Sequence, residues 1–326
     1  MTGGATTDPA IDTARLEHVL RPATPADLAV CAAIWRDSLN DYLRRLAQPE
    51  IPDDLGPILR LYGHLLDTDP ETFVVAERGG AVEAFVVVLR RGRLTFLSML
   101  FVQPDAQARG LGRALLARTM GDATKPREGW WATATDSAQP ISNGLYASLG
   151  IVPRIPLLRL VGLPTRAGAF DPLPPRIEAV PFADVDGGAD GLATSALGAE
   201  LAHLDRGALG FERPADHAFL GTEARAGFLY CDRDGRAVGY GYTSETGRLG
   251  PVVARDAALL GPILGHLVHS VEPRGSFGAW VPGAADGAIV PLLRAGFRID
   301  GFPVLLCWVR PFADFSRAVP ISPGLL

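Results

Sequence analysis

The chain has 326 residues, enough for roughly two domains rather than one core. Its hydrophobic (48%) and charged (21%) fractions are those of a folded globular protein and exclude wholesale disorder. A net charge of −5 gives no broad basic field, which argues against nucleic acid as the main partner. No apolar run approaches the roughly 18 residues of a membrane span. The N-terminal MTGGATTDPAIDTARLEH has neither the basic start nor the apolar core of a signal peptide, so the chain reads as cytoplasmic. Three cysteines, Cys31, Cys231 and Cys307, stand far apart with no metal or redox spacing and read as small apolar fillers.

In chain order, Val19 to Pro22 reads as a short strand. Asp27 to Leu46 follows as a helix with apolar positions Leu28, Cys31, Ile34, Trp35 and Leu39. A second helix is expected over Leu55 to Leu66. Phe73 to Leu89 (FVVAERGGAVEAFVVVL) is two apolar runs about a charged glycine turn, the hairpin pattern. A strand is expected over Thr95 to Val102, a helix from Gly110 to Met120 and a strand from Trp130 to Thr135. A helix over Ile141 to Leu149 and a last strand over Ile155 to Val161 complete this half. The stretch from Gly162 to Arg176 is rich in proline and glycine and aperiodic, as linkers are.

The pattern then recurs. Phe228 to Ser244 (FLYCDRDGRAVGYGYTS) repeats the hairpin, with Phe73 opposite Phe228, Glu77 opposite Asp232, Arg78 opposite Arg233 and Gly80 opposite Gly235. The openings at Arg21 and Ala179 and the closings YASLGI and LLRAGF match in the same order. Two copies of one α/β unit, each a mixed sheet flanked by helices, are therefore expected at 1–161 and 177–326, joined by 162–176.

The chemistry-bearing segment is LFVQPDAQARGLGRALLARTM, Leu100 to Met120. Pro104 ends the strand by removing a ladder donor. Leu111, Leu115, Leu116 and Met120 begin a helical face. Between them, Gln107-Ala108-Arg109-Gly110-Leu111-Gly112 precedes a helix start whose first-turn amides have no internal partner and carry the positive end of the dipole. Two glycines let an anion approach those amides, and Arg109 and Arg113 add positive charge. A nucleotide P-loop would end in Gly-Lys-Ser/Thr, where Arg113-Ala114 stands. A dinucleotide site wants a third small residue, where Leu115 stands, and a first βα unit, where a hairpin precedes.

The stretch V-x-P-x-x-Q-x-R-G-x-G-R-A-L-L resembles the coenzyme A motif of the GNAT superfamily (GCN5-related N-acetyltransferases), and Gln139 to Gly150 resembles its closing motif. The resemblance is close over about residues 18 to 161 and loose beyond. It implies two tandem GNAT-like domains. In the first, a cofactor site would be formed by Leu100, Phe101, Val102, Gln107, Ala108, Arg109, Gly110, Leu111, Gly112, Arg113, Gln139 and Asn143. It implies transfer of an acetyl group from acetyl-CoA to a primary amine of a small molecule, peptide or protein, by direct attack in a ternary complex and without a metal. A backbone N–H of Met99 to Val102 would polarise the carbonyl, and Tyr146 would serve as proton donor to the leaving thiolate. The plain alternative for Tyr146 is a core tyrosine. The family pattern usually has Asn where Gln139 stands and an aromatic where Ile151 stands.

Thr95 to Val102 contains no carboxylate, so no general base is assigned; Asp136 is read as a turn residue that caps the next helix. Because of that gap, a non-catalytic acyl-CoA sensor is the second reading and a scaffold without cofactor the third. In the second half GPVVARDAALLGPILGHLV places Gly261 opposite Gly112, but Ala258-Leu259-Leu260 replaces Arg109-Gly110-Leu111, and Leu292 stands opposite Tyr146. That copy is expected to be degenerate and to pack on the first as a dimer partner would. The assembly is then either a monomer built as a pseudo-dimer or a homodimer. Its polar run Arg213, Asp216 and His217 is a candidate wall of an acceptor site. His266 and His269 lack a third ligand and read as a polar face. Trp130 and Trp131 read as core and cover for the cofactor region. Trp35, Tyr42 and His64 are open between acceptor contact and packing.

Overall fold

The computed structural model describes residues 17–121, 129–166, 168–185 and 195–326. Residues 1–16 of the segment read for a leader, and residues 186–194 of the second copy's opening, lie outside the described residues. By spatial contact the chain divides into two units: residues 1–89 with 97–127, and residues 90–96 with 128–326.

In the first unit β1 (Val19–Pro22) pairs antiparallel with β2 (Phe73–Arg78), which pairs antiparallel with β3 (Ala81–Arg91). Next to β3 lies β4 (Leu94–Val102), giving the order β1-β2-β3-β4. The β-branched and aromatic run of β3 is buried from Ala84 to Leu89, as a strand covered on both faces must be. Two helices, α1 (Leu28–Arg45) and α2 (Gly56–Thr68), separate β1 from β2. The turn leading into α1 is fixed by Asp27, which accepts from the backbone N–H and the hydroxyl of Thr24 and from Arg21. Tyr62 of α2 packs edge-on against Phe73 and Phe85, anchoring that helix to the sheet. Helix α3 (Leu111–Met120) follows β4 and buries Leu111, Leu115, Leu116 and Met120, the face expected from their spacing.

The second unit begins with β5 (Trp130–Asp136), α4 (Pro140–Ser148) and β6 (Val152–Gly162). After the linker come β7 (Glu178–Pro181), α5 (Ala196–Leu209), α6 (Pro214–Thr222), β8 (Ala226–Cys231), β9 (Ala237–Thr243) and β10 (Leu249–Ala254). Helix α7 (Leu260–Ser270), β11 (Phe277–Pro282), α8 (Asp286–Ala295), β12 (Arg298–Ile299), β13 (Val304–Trp308) and β14 (Ala318–Val319) complete it. Strands β14-β10-β9-β8-β7 form an antiparallel sheet in that order. This repeats the strand–helix–helix–hairpin order of β1 to β3, as the matched segments lead one to expect.

The sequence does not announce the other arrangement in this unit. Strand β13, from the second half of the chain, lies between β5 and β6 of the first half, antiparallel to both. In turn β6 lies between β13 and β11, so the order β5-β13-β6-β11 alternates between the halves. Each half contributes a late strand, β6 or β13, that pairs with strands of the other. Strand β12 continues the pairing along β6, with Arg298 opposite Val161. The exchange satisfies the ladder groups of β5 and β6 that would otherwise form open edges.

Leu306, 1% exposed on β13 and paired with Ala134 and Ile155, packs within this interleaved sheet. Leu306→Ala is expected to lower the unfolding free energy by about 2–5 kcal/mol, read from urea denaturation midpoints.

Candidate functional site

In the first unit β4 ends at Val102, whose carbonyl oxygen accepts from the Gln107 side chain (3.1 Å) and from Ser38 of α1 (2.9 Å). The Gln103 N–H donates to the Glu83 carbonyl at 2.8 Å, and residues Pro104–Ala106 form one 3-10 turn with Ala106 buried. Gln107 therefore braces the loop through its side chain. Beyond it the backbone turns left-handed twice, at Ala108 (φ +62°) and at Gly110 (φ +82°). A side chain tolerates this conformation poorly, and glycine adopts it freely. A Cβ at Gly110 would meet nothing within 4 Å, so the space in front of it is open. The first bond of α3 runs from the Ala114 N–H to the Gly110 carbonyl at 3.0 Å. The amides of Leu111 and Gly112 precede it at the start of the helix, and no side chain caps them. Ala108, Arg109 and Gly110 are exposed. The result is an open, electropositive helix start able to bind a diphosphate.

The remaining candidates belong to the second unit and share one helix. Gln139 is the N-cap of α4; its side-chain oxygen accepts from the Ile141 N–H at 3.3 Å. Asn143, one turn on, donates from Nδ2 to the carbonyls of Asp136 (3.0 Å) and Gln139 (2.8 Å). Its Oδ1 is buried without a hydrogen-bond partner among the described residues. A buried acceptor in that state calls for a donor from a ligand or water. Tyr146 lies three residues further along the same face and is 6% exposed. Burial pushes its phenol well above the ordinary tyrosine range, with Cys307 adding to the shift, so the hydroxyl stays protonated at neutral pH. Asp136, just before α4, accepts from the Ala138 N–H at 2.9 Å and shapes the turn into that helix.

Residues 69–150 match the profile of the acetyltransferase (GNAT) domain. A proposed acetyltransferase from Pyrococcus horikoshii superposes with TM-score 0.72 at 13% identity, covering 100% of each chain. A GCN5-related N-acetyltransferase from Sphaerobacter thermophilus gives 0.57 at 18% identity over 92% of this chain and 98% of its own. A tandem GNAT protein from the clavulanic acid biosynthesis pathway gives 0.52 at 16% over 90% and 99%. No curated protein matches in sequence. The fold is a tandem GNAT fold.

In the second GNAT-like half, α7 stands where α3 stands in the first. Its N-terminus is closed. A Cβ on Gly261 would meet Pro291 at 3.0 Å and the Gly287 carbonyl at 3.1 Å; one on Gly287 would meet the Ala257 carbonyl at 2.5 Å. The glycine that aligns with Gly112 here lets α8 pack against the start of α7. Leu292 of α8 is fully buried. His266 accepts from or donates to the Tyr230 hydroxyl (3.0 Å), and His269 bonds the Gly265 carbonyl. Among the described residues no group of side chains could hold a metal ion, and no helix is long and apolar enough to cross a membrane.

Two charged clusters stand out. Glu83 of β3 is held by His18 (2.9 Å) and Arg78 (2.7 Å), which keep its carboxyl below the usual range. The other contains the polar run noted in the sequence. Asp205 of α5, fully buried, accepts from Arg213 (3.1 Å), from His217 Nε2 (2.9 Å) and from the Tyr240 hydroxyl. His217 Nδ1 lies 2.8 Å from the Tyr242 hydroxyl, and Asp216 is paired with Arg91 at 3.0 Å. These residues are buried in the interior of the second half. The run signals polarity in sequence; only the packing of α5, α6 and β9 shows that it is internal.

Burial raises the Asp205 carboxyl, but Arg213 and the hydrogen bonds of His217 and Tyr240 outweigh this and hold it low. Because its folded value lies below its unfolded one, it stabilises the fold above the ordinary carboxylate range, and that contribution fades as pH falls through the folded value. Asp205→Asn is expected to cost about 3–5 kcal/mol at pH 7, since Arg213 is left buried without its counter-charge. The gap should narrow as the pH approaches 3, measured by chemical denaturation across that range.

Proposed function

We propose that the chain is an acyltransferase that moves an acetyl group from acetyl-CoA directly to an amine, with its working site in the first of two copies, 1–161 and 177–326. The observation that carries this reading is the open start of α3. Exposed Arg109 and Gly110 precede an uncapped helix start, and the space in front of Gly110 is clear. The coenzyme's diphosphate would be held by the backbone of residues 108–113, with Arg109 and Arg113 adding charge. Gln107 would maintain the loop through its bond to Val102. Leu100 to Val102 would bring the strand's backbone to the thioester arm. Asn143 Oδ1, buried without a partner, suits an amide N–H of that arm, and Gln139 would fix the start of the helix bearing it.

Tyr146 then acts on the leaving sulfur. A thiol ordinarily titrates near 8.5 and a phenol near 10, and burial moves Tyr146 higher still. A hydroxyl that is the weaker acid stabilises the departing thiolate chiefly by donating a hydrogen bond, and the proton that finally neutralises the sulfur comes from the attacking amine or water. The closed start of α7 supports assigning the cofactor to the first copy alone.

A binding-only sensor of acyl-CoA is the second reading, favoured by one observation. Strand β4 carries no carboxylate, and Glu83 of the neighbouring β3 is engaged by His18 and Arg78.

Titration calorimetry with acetyl-CoA is expected to show binding that weakens at least tenfold in the Arg109→Ala, Gly110→Val double variant. No binding at millimolar ligand would overturn both coenzyme readings. Thiol release on a panel of amines separates enzyme from sensor. For a turned-over substrate, Tyr146→Phe is expected to lower kcat by about 10²-fold with little change in the KM for acetyl-CoA.

A further inference from the structure

In the second half, Ala226 of β8 and Leu249 of β10 both pair with Thr243 of β9. The residues just before them, Arg225 and Arg248, therefore flank Ser244, which follows Thr243. The Arg248 N–H donates to the Ser244 hydroxyl oxygen at 3.1 Å, as this placement requires. Residues across a ladder share a face, and so do alternate residues of a strand, so this row lies on the face of Gly227 and Tyr242. Phe182 packs over Gly227 on that face and meets the Tyr242 ring edge-on, with centroids 5.1 Å apart. From its place beside β8, Arg225 crosses β9. Its Nη1 donates at 2.5 Å to the carbonyl of Gly250, two residues on from Arg248. The crossing spans two strand spacings, roughly 9.6 Å, and brings the guanidinium to the strand that Arg248 opens.

Neither cation has a counter-charge. Among the described residues no carboxylate forms an ion pair with Arg225 or Arg248. Glu245, in the turn between β9 and β10, is paired with Arg274 at 3.3 Å, and Glu223 acts on Arg225 from beyond ion-pair distance. Arg225 is half-buried. It spends Nη1 on Gly250, its Nε is buried without a partner, and its Nη2 bonds to nothing among the described residues. Burial and the charge of Arg248 pull its guanidinium down to about 10, outweighing Glu223 and Tyr242. Arg91 and Arg213, the enclosed arginines elsewhere in this unit, each hold an aspartate. A desolvated guanidinium beside a second one, with no carboxylate on either, is a cation left unmet by the chain itself. Arg248 is exposed, so the pair opens to solvent.

We propose that the second half holds an anion site of its own, in which Arg225 Nη2 and the Arg248 guanidinium together bind a phosphate group carried by a small molecule. The pair brings two positive charges with nothing to offset them. A phosphate monoester carries about two negative charges at neutral pH, whereas one carboxylate would leave half of the charge unmet. Guanidinium N–H groups also match phosphate oxygens in geometry and form short, charge-assisted bonds with them. The site lies where β10 begins; α7, whose start is closed, follows the other end of that strand. It shares no residue with the diphosphate cradle at α3, and it stands or falls independently of the acyltransferase reading.

The experiment titrates inorganic phosphate into the full-length protein by calorimetry at fixed ionic strength. Binding in the millimolar range or tighter is expected, and Arg225→Gln and Arg248→Gln should each weaken it about tenfold or more. Arg233→Gln, an exposed change of equal net charge in the turn between β8 and β9, should leave the affinity within about twofold. Acetate should bind at least about tenfold more weakly than phosphate. Phosphate can also meet the start of α3, so the titration is repeated in the Arg109→Ala, Gly110→Val double variant, where the Arg248-dependent binding should persist. No phosphate binding at millimolar concentration would overturn the proposal, and so would binding that ignores Arg225 and Arg248, whichever site holds the ion. An equal loss in Arg233→Gln would reduce the effect to diffuse charge, and acetate as strong as phosphate would remove the assignment to a dianion; either outcome also overturns it. Thermal unfolding establishes that each variant is folded, and Arg248→Gln, a surface change, carries the decision if Arg225→Gln does not fold.

Discussion

The backbone pairing of β13 with β5 on one side and β6 on the other is the constraint on which most of the second unit depends. A buried strand must satisfy its N–H and C=O groups along both edges. Strands β5 and β6 are not each other's neighbours; five paired positions of β13 stand between them. Without that strand both would present open ladders, and α4 would pack over a gap. The halves are therefore joined by hydrogen-bond ladders as well as by the 162–176 linker, and β6 meets β11 and β12 of the second half in the same way. Such a join makes the second half structurally necessary to the first: the sheet that holds β5 and β6 is incomplete without β13.

The two helix starts show how one fold diverges. In both halves a glycine falls in the first turn of the helix after the central strand. At the start of α3 the residues before it are left-handed, exposed and flanked by arginine. At the start of α7 the corresponding glycine is buried and admits α8 to within van der Waals range of the helix backbone. The property used is the same in both, the missing Cβ. At α7 it admits a proline and a neighbouring glycine; at α3 the space in front of the turn at Gly110 is open. A glycine pattern alone cannot tell these apart, because the difference lies in what is packed in front of it.

Legibility in the sequence follows the range of the interactions. Strand β1, the two helices after it, the first hairpin and α3 were readable because periodicity, turn residues and caps are local. The observed bounds of α1, Leu28–Arg45, lie one residue inside the expected ones. The repeat was readable because paired landmarks recur at one offset. The strand exchange was not: β13 is a five-residue apolar run whose pattern suits any partner, and its register is set by contacts more than a hundred residues away. Cys307, which spacing marks only as small apolar filler, is buried on that same strand. Gln107 shows a third case. Its place in the motif was plain, but its side chain braces the loop by bonding Val102. The polar run Arg213, Asp216 and His217 was visible as an anomaly, while its partners Asp205, Tyr240 and Tyr242 come from α5 and β9 and could not be assembled from spacing.

The charges also sort by what surrounds them. Asp205 and Arg213 are fully enclosed and therefore must neutralise one another; either alone would be a heavily desolvated ion. Arg109 is exposed and can meet an ionic partner that arrives from solvent. Tyr146 is enclosed like the first pair but has no charge to neutralise, and the low dielectric around it keeps it that way. A neutral donor held in an apolar pocket responds most strongly when charge develops beside it, because little water competes for the bond. On the acyltransferase reading, this separation is what the chemistry needs: exposed amides and an exposed cation for a diphosphate that is ionic throughout, and a buried neutral hydroxyl for a sulfur that becomes ionic only as the acyl group leaves. A carboxylate on β4 would place a second negative charge beside that developing thiolate. Its absence is consistent with an amine that loses its proton to solvent rather than to a side chain on that strand.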